Sequence, residues 1–135
     1  MKRRDFIALS AALAVTPAIL RAAPLNYTPG LVQQHLADGD VVFLDFKADW
    51  CTTCRAQERV IQSLKAADPS YDAAITFINV DWDQYGDSEL SRDLNIPRRS
   101  TLVALKGDQE LGRIVAGTSQ AQIQELMDIA RAAAG

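Results

Sequence analysis

The chain of 135 residues carries two cysteines, three positions apart at Cys51 and Cys54, and a single histidine, His35. Two thiols at that spacing can form a redox couple that exchanges with other disulfides, a static disulfide, or half of a tetrahedral metal site. A bridge over two intervening residues closes too small a loop to stabilise a fold much. A four-ligand zinc site built only from Cys and His would use all three residues and still lack a ligand. The redox couple fits the local sequence best, because C-x-x-C beside a strand-helix-strand pattern is a redox signature. Residues 41–46 are a β-branched and aromatic run broken only by Asp45, which reads as a strand buried on both sides. Residues 51–67 read as a helix, with Val60, Ile61 and Leu64 at helical spacing and Asp68-Pro69 as its stop. Cys51 therefore falls at a helix N-terminus, where free N–H groups and the helix dipole favour a thiolate and lower its pKa from about 8.5. Cys54, one turn further, can attack the mixed disulfide that Cys51 forms and release the partner.

The elements that must hold this pair follow from periodicity and turn residues. Thr28-Pro29 is expected to cap a first helix with Leu31, Val32 and Leu36 on one face and Gly39 past its end. Residues 74–80 read as a second buried strand, 88–94 as a short helix and 101–106 as a strand. Gly107-Asp108 turns the chain into a pairing strand over 111–116. Ser119 with Gln122 forms a capping-box pattern before a last helix striped by Ile123, Leu126, Met127 and Ala130, with Ile129 at the margin. This order predicts an α/β fold: a mixed central sheet flanked by helices on both faces, its first strands parallel and its hairpin antiparallel. Ligands of such sheets bind at the strand carboxyl ends, where Cys51 lies.

Lys2-Arg3-Arg4, an apolar stretch over 6–20 and Arg21-Ala22-Ala23 read as an export signal of the twin-arginine type over residues 1–23, ahead of a domain over 24–135. The stretch is short for a membrane span, which needs about 20 residues, so the membrane enters only if the segment stays uncleaved as an anchor. Without it, ten basic and sixteen acidic residues remain. That acidic balance argues against nucleic acid or an anionic membrane surface as a partner. Apolar residues at 48% and charged residues at 23% exclude a disordered chain, a collagen and a coiled-coil rod. A periplasmic or otherwise exported location is where a disulfide persists.

The segment 42–55, with Asp45-Phe46, Ala48-Asp49-Trp50-Cys51 and Cys54-Arg55, resembles the active site of the thioredoxin superfamily. It is most similar to exported thiol-reducing members and to the periplasmic domain of membrane electron-carrying reductases. The likeness runs from about Val41 to the C-terminus and takes in Ile78-Asn79-Val80-Asp81, Lys106-Gly107 and Gly117. It implies a thioredoxin fold and thiol-disulfide exchange, with Cys51 as nucleophile, Cys54 as resolving thiol and no cofactor. Protein disulfides and thiols would be the substrates, and a membrane protein the electron donor. Asp45 takes the place of the family's buried carboxylate, which could accept the Cys54 proton directly or through water. Otherwise it is an Asp at a strand bulge or edge. The family often pairs this acid with a lysine on the next strand; Phe77 stands there, so Asp45 is expected to be hard to ionise.

The chain departs from the family opposite the cysteines. A cis-proline is expected just before the hairpin, but the chain reads Ile96-Pro97-Arg98-Arg99-Ser100-Thr101, placing Ser100 there. The Arg99-Ser100 bond is then either trans or held cis by strain; a register with Pro97 as the cis-proline would need a three-residue insertion. The resemblance makes Trp50, Arg99, Ser100 and Gly117 the substrate-binding face. Arg99, with Arg98 beside it, would depress the Cys51 pKa and favour acidic partners. Two other function classes stay open at this level: a thiol-based metal-binding or metallochaperone module, with Ser100 no longer keeping metal from the sulfurs, and a redox-silent binding domain. His35 reads as a half-buried or solvent-facing helix residue. Tyr85 and Arg92 spoil the calcium-loop pattern that starts at Asp81. Trp82 is either a packing residue or a partner contact.

Overall fold

The computed structural model describes residues 23–135, so the expected export segment lies outside the described residues except for Ala23. The elements run β1 (Leu25–Asn26), α1 (Leu31–Ala37), β2 (Val41–Lys47), α2 (Thr52–Ala67), α3 (Ser70–Ala74), β3 (Ile75–Asp81), α4 (Trp82–Tyr85), α5 (Glu89–Asp93), β4 (Thr101–Lys106), β5 (Gln109–Val115) and α6 (Gln120–Ala133). Five strands form one mixed sheet in the order β1-β3-β2-β4-β5. β1 and β2 run parallel to β3, and β4 runs antiparallel to both β2 and β5. This is the thioredoxin fold, with helices on both faces of the sheet.

Period-two alternation along β2 decides which side chain meets which layer. Val41 and Phe43 join Ile61, Leu64, Leu102, Ile123 and Met127 in the core under α2 and α6. Val42, Leu44 and Phe46 join Val32, Ile78, Val80 and Val103 in the core on the opposite face. By the same alternation Asp45 points into the layer beneath α2, the helix that carries the cysteines. It pairs with Asn79 of β3 on one side and Leu102 of β4 on the other. Asp45 is thus in a central strand and not at an edge, and the sheet's irregularity falls at Ala104/Leu105 instead.

Several expected boundaries move for local reasons. Thr28 does not cap α1: Gly30 holds the N-cap with φ 91°, a left-handed conformation that glycine adopts without steric cost. β1 is only two residues long and is held by parallel pairing to Ile78 and Asn79, too short for any periodicity to announce. Asp68-Pro69 ends α2 as expected and then opens the one-turn helix α3, whose Ser70 N–H is accepted by Asp68 Oδ1. The second hairpin strand starts at Gln109, because Gly107-Asp108 alone makes the turn. Ser119 caps α6 as expected, its hydroxyl accepting the N–H of Gln122.

Met127 is fully buried in the α2/α6 core while Ile129, two positions on, is 41% exposed. Met127→Ala should lower unfolding free energy by about 2–5 kcal/mol, and Ile129→Ala by no more than about 0.5 kcal/mol. Urea midpoints of the two variants check this reading of the helix face.

Candidate functional site

The carboxyl end of β2 delivers Ala48, Asp49 and Trp50 to the start of α2, and Cys51 is the N-cap residue of that helix. Its Sγ accepts the N–H of Cys54 at 3.1 Å, as a Ser or Asp side chain does at other N-caps. Both thiols are buried and unbridged. They pack against Ala48 and the half-buried ring of Trp82, which also meets Phe46 edge-on at 6.4 Å. Trp82 is therefore a packing residue behind the pair.

Ser100 faces both sulfurs. Its Oγ lies 3.2 Å from Cys51 Sγ and 3.1 Å from Cys54 Sγ, and the residue is fully buried. Among the described residues no peptide bond is cis, so Arg99-Ser100 and Ile96-Pro97 are both trans. Ser100 instead takes φ 65°, a left-handed conformation that costs a non-glycine residue about 1–2 kcal/mol. Three hydrogen bonds hold it there. Its N–H donates to the Phe46 carbonyl at 2.7 Å, and its carbonyl accepts from Ala116 N–H at 2.8 Å and Gln57 Nε2 at 2.9 Å.

Gln57 was not singled out from the sequence, although it occupies the helix stripe Cys54, Gln57, Ile61, Leu64 whose other members are buried. A polar residue on that stripe was the available signal. Fully buried, it donates from Nε2 to Gly117 O at 3.0 Å as well as to Ser100 O, tying two loops to α2. Gly117 permits this approach: a Cβ there would lie 2.8 Å from Ile114 Cγ2 and 2.9 Å from Gln122 Oε1. Gly117 thus enters through its carbonyl and its lack of a side chain, at one remove from the sulfurs.

Trp50 is 55% exposed beside the nucleophile, and its indole N–H donates to both carboxylate oxygens of Asp83 at 3.1 and 3.0 Å. The Arg99 guanidinium stacks 4.4 Å from the centre of the Trp50 ring. Its Nε is buried and finds no hydrogen-bond partner among the described residues. Arg98 donates from Nε to the Arg99 carbonyl at 3.0 Å.

These contacts set the two thiols apart. Burial resists ionisation of Cys51, but hydrogen bonds from Cys54, from Ser100 and from the Cys54 backbone, with Arg99 adding to them, bring its pKa down to about 7. Burial and then the Cys51 thiolate push the Cys54 pKa up. Cys51 is thus about half ionised at neutral pH, while Cys54 keeps its proton. Asp45 beneath them is raised to about 7, first by burial and then by Glu58 and Cys51, against a lowering pull from Lys47. Its Oδ1 has no hydrogen-bond partner among the described residues. It lines a cavity of about 220 Å³ with Phe43, Glu58, Lys65 and Phe77. A buried lysine does lie at Phe77, but it is Lys65 of α2, 3.6 Å over the ring and paired with Asp72 at 3.0 Å. His35 sits on α1 with Asp40 at 2.8 Å, half-buried and remote in sequence from the thiols.

A family model described as Thioredoxin matches residues 25–129. Thioredoxin H2-1 of Oryza sativa is 27% identical over 97 residues, covering 72% of this chain and 65% of the relative. Thioredoxin 1 of Nostoc sp. is 24% identical over 108 residues, covering 79% of this chain and 96% of the relative. The chain thus spans about two thirds of the rice protein and nearly all of the Nostoc one. Among solved structures, Trxlp of Edwardsiella tarda superposes with a TM-score of 0.66 at 27% identity, over 77% of this chain and 98% of that one. Deadhead of Drosophila melanogaster does so at 0.62 and 22% identity, over 79% and 97%.

Two outcomes follow from the electrostatics. Alkylation of Cys51 should titrate with a midpoint near pH 7, and replacing Arg98 and Arg99 together with Ala should raise it; an unchanged alkylation profile would refute the role given to Arg99. Asp45 binds its proton up to about pH 7 in the fold against an ordinary 3.8. The folded chain therefore holds more protons than the unfolded one between those values, and this group costs stability as pH rises through them. Asp45→Asn should be more stable than the parent at pH 8 by up to about 4 kcal/mol, most of the gap closing by pH 4.5. Urea titrations at the two pH values measure it.

Proposed function

Because the chain belongs to the thioredoxin family, whose members are thiol-disulfide oxidoreductases, we propose that it exchanges electrons with protein disulfides outside the cytoplasm, mainly as a reductase. The observation that carries this reading is Cys51 at the N-cap of α2, its sulfur accepting the Cys54 N–H and its pKa brought down to about 7 beside a Cys54 whose pKa is pushed up. The Cys51 thiolate attacks one sulfur of a substrate disulfide. A Cys51–substrate bond forms, the substrate S–S bond breaks, and the first substrate sulfur leaves and takes a proton. Cys54 then gives its proton, directly or through water, to ionised Asp45 and attacks Cys51 Sγ, and the second substrate sulfur departs with the electron pair. The substrate gains two electrons, and the chain is left with a Cys51–Cys54 disulfide for an external dithiol donor to reduce.

The reductase direction is supported by the balance at Cys51. A nucleophile whose thiolate is very strongly stabilised, with a pKa near 3.5, makes an oxidant because its reduced form is favoured; about 7 is the value of reducing pairs. The exposed face of Trp50 with Arg99 stacked on it is the proposed substrate surface, supported from behind by the buried Ser100 and, through Gln57, by Gly117. Export rests on the residues of the leader: Arg3-Arg4, the apolar stretch after them and Arg21-Ala22-Ala23. No helix among the described residues is long and apolar enough to cross a membrane. A membrane protein is the proposed donor.

The decisive measurement is the reduction potential of the Cys51/Cys54 couple, with insulin reduction as its functional counterpart. A potential of about −270 mV and turnover abolished by Cys51→Ser are expected; a potential of about −120 mV would assign an oxidant instead.

A further inference from the structure

We propose that the Ser100 hydroxyl is a catalytic hydrogen-bond donor that serves the two cysteines in turn, first the Cys51 thiolate and then, once Cys51 is bonded to substrate, the Cys54 thiolate. The proposal rests on the reading of the chain as a thiol-disulfide oxidoreductase.

A serine hydroxyl has one proton to donate and two lone pairs to accept with. At 3.2 Å from one sulfur and 3.1 Å from the other, the oxygen is in contact with both reacting atoms at once. In the reduced chain the sulfurs are unequal, one thiolate and one thiol. The hydroxyl then donates to the Cys51 thiolate, which also accepts from the S–H of Cys54. The oxygen has nowhere to go, because the Ser100 backbone is fixed by Phe46, Ala116 and Gln57 and the residue is fully buried. Turning the O–H bond is enough to redirect its proton from one sulfur to the other.

Attack on a substrate disulfide removes the anion from Cys51, since its sulfur now shares a covalent bond with a substrate sulfur. A disulfide sulfur is a weak acceptor, and the hydroxyl proton is released for the neighbour. As Cys54 loses its proton to Asp45, the O–H turns and donates to the new thiolate. Cys54 Sγ then bonds to Cys51 Sγ while the Cys51–substrate bond breaks and the substrate sulfur leaves with the electron pair. Ser100 ends the cycle with the proton it began with. The proline expected at this position has no hydroxyl, so the device belongs to this chain's departure from its family.

The other groups acting on the pair are accounted for and stay in place when the hydroxyl is removed. Arg99 acts on Cys51 from the loop; Asp45 acts from β2 and is itself tuned by Lys47 and Glu58; Trp82 from α4 is uncharged. An effect confined to Cys51 would mean that Ser100 only activates the nucleophile. An effect on both thiols in sequence is the signature of a shared donor.

The test uses the full chain and two variants, Ser100→Ala and Ser100→Gly; glycine suits the left-handed backbone, so the pair separates lost hydroxyl from added strain. Each reduced protein is mixed with excess dithionitrobenzoate in stopped flow from pH 5 to 10. The first thionitrobenzoate released reports Cys51, and the second, intramolecular release reports resolution by Cys54. In both variants the Cys51 midpoint should rise by about one pH unit, and resolution by Cys54 should be slowed about tenfold at pH 7. Resolution at the parent rate in both variants, or slowed in Ser100→Ala but not in Ser100→Gly, would overturn the shared-donor role. A parent protein that releases only one thionitrobenzoate per chain would overturn the oxidoreductase reading itself, and this proposal with it.

Discussion

One hydrogen bond organises the molecule: the N–H of Cys54 donated to the sulfur of Cys51 at the first turn of α2. A helix N-terminus has backbone donors without partners, and a thiolate there satisfies one of them while it sits at the positive end of the dipole. For that bond to form, β2 must end where α2 begins, and a strand buried on both faces must be covered by helices above and below. The order of the sheet, with β2 at its centre between β3 and β4, meets that requirement. The reactive sulfur is held by backbone geometry, with side chains adjusting it.

The site is kept at the expense of local stability. Asp45 places a carboxyl in a layer built mainly of apolar side chains such as Val41, Phe43, Phe77 and Leu102, and its Oδ1 has no partner among the described residues. Gln57 brings an amide into the same helix stripe and satisfies its nitrogen twice while leaving its oxygen alone. Ser100 occupies a backbone conformation that costs a residue with a Cβ. These strained or unsatisfied groups gather within one region around the sulfurs, and the apolar core on the opposite face of the sheet offsets them. That distribution is expected of a scaffold in which the rigid part is separate from the reactive part.

Much of this was legible in the sequence, because burial and periodicity act locally. The run 41–46 could only be a two-sided strand, the stripe through Ile123, Leu126, Met127 and Ala130 could only face a core, and C-x-x-C between them could hardly be elsewhere than at the helix start. The unread parts depend on distant partners. β1 exists because Ile78 and Asn79 offer it an edge, and nothing in Leu25-Asn26 says so. Thr28 looked like a cap, but the left-handed turn at Gly30 starts the helix later. Ser100 was placed opposite the cysteines from its register, yet whether its peptide bond was cis or trans depended on carbonyl and N–H groups of β2 and the loop after β5. The Trp50–Asp83 bond joins residues 33 apart and leaves no local trace.

The N–H that Ser100 donates to Phe46 has a bearing on how such a chain can change over generations. Proline has no N–H and a φ fixed near −65°, whereas Ser100 sits at 65° with that N–H engaged. The two solutions to the loop are separate basins in sequence space, each with its own backbone. A change to proline here would lose a buried hydrogen bond and require the opposite sign of φ, so the present backbone excludes proline unless the loop is rebuilt with it.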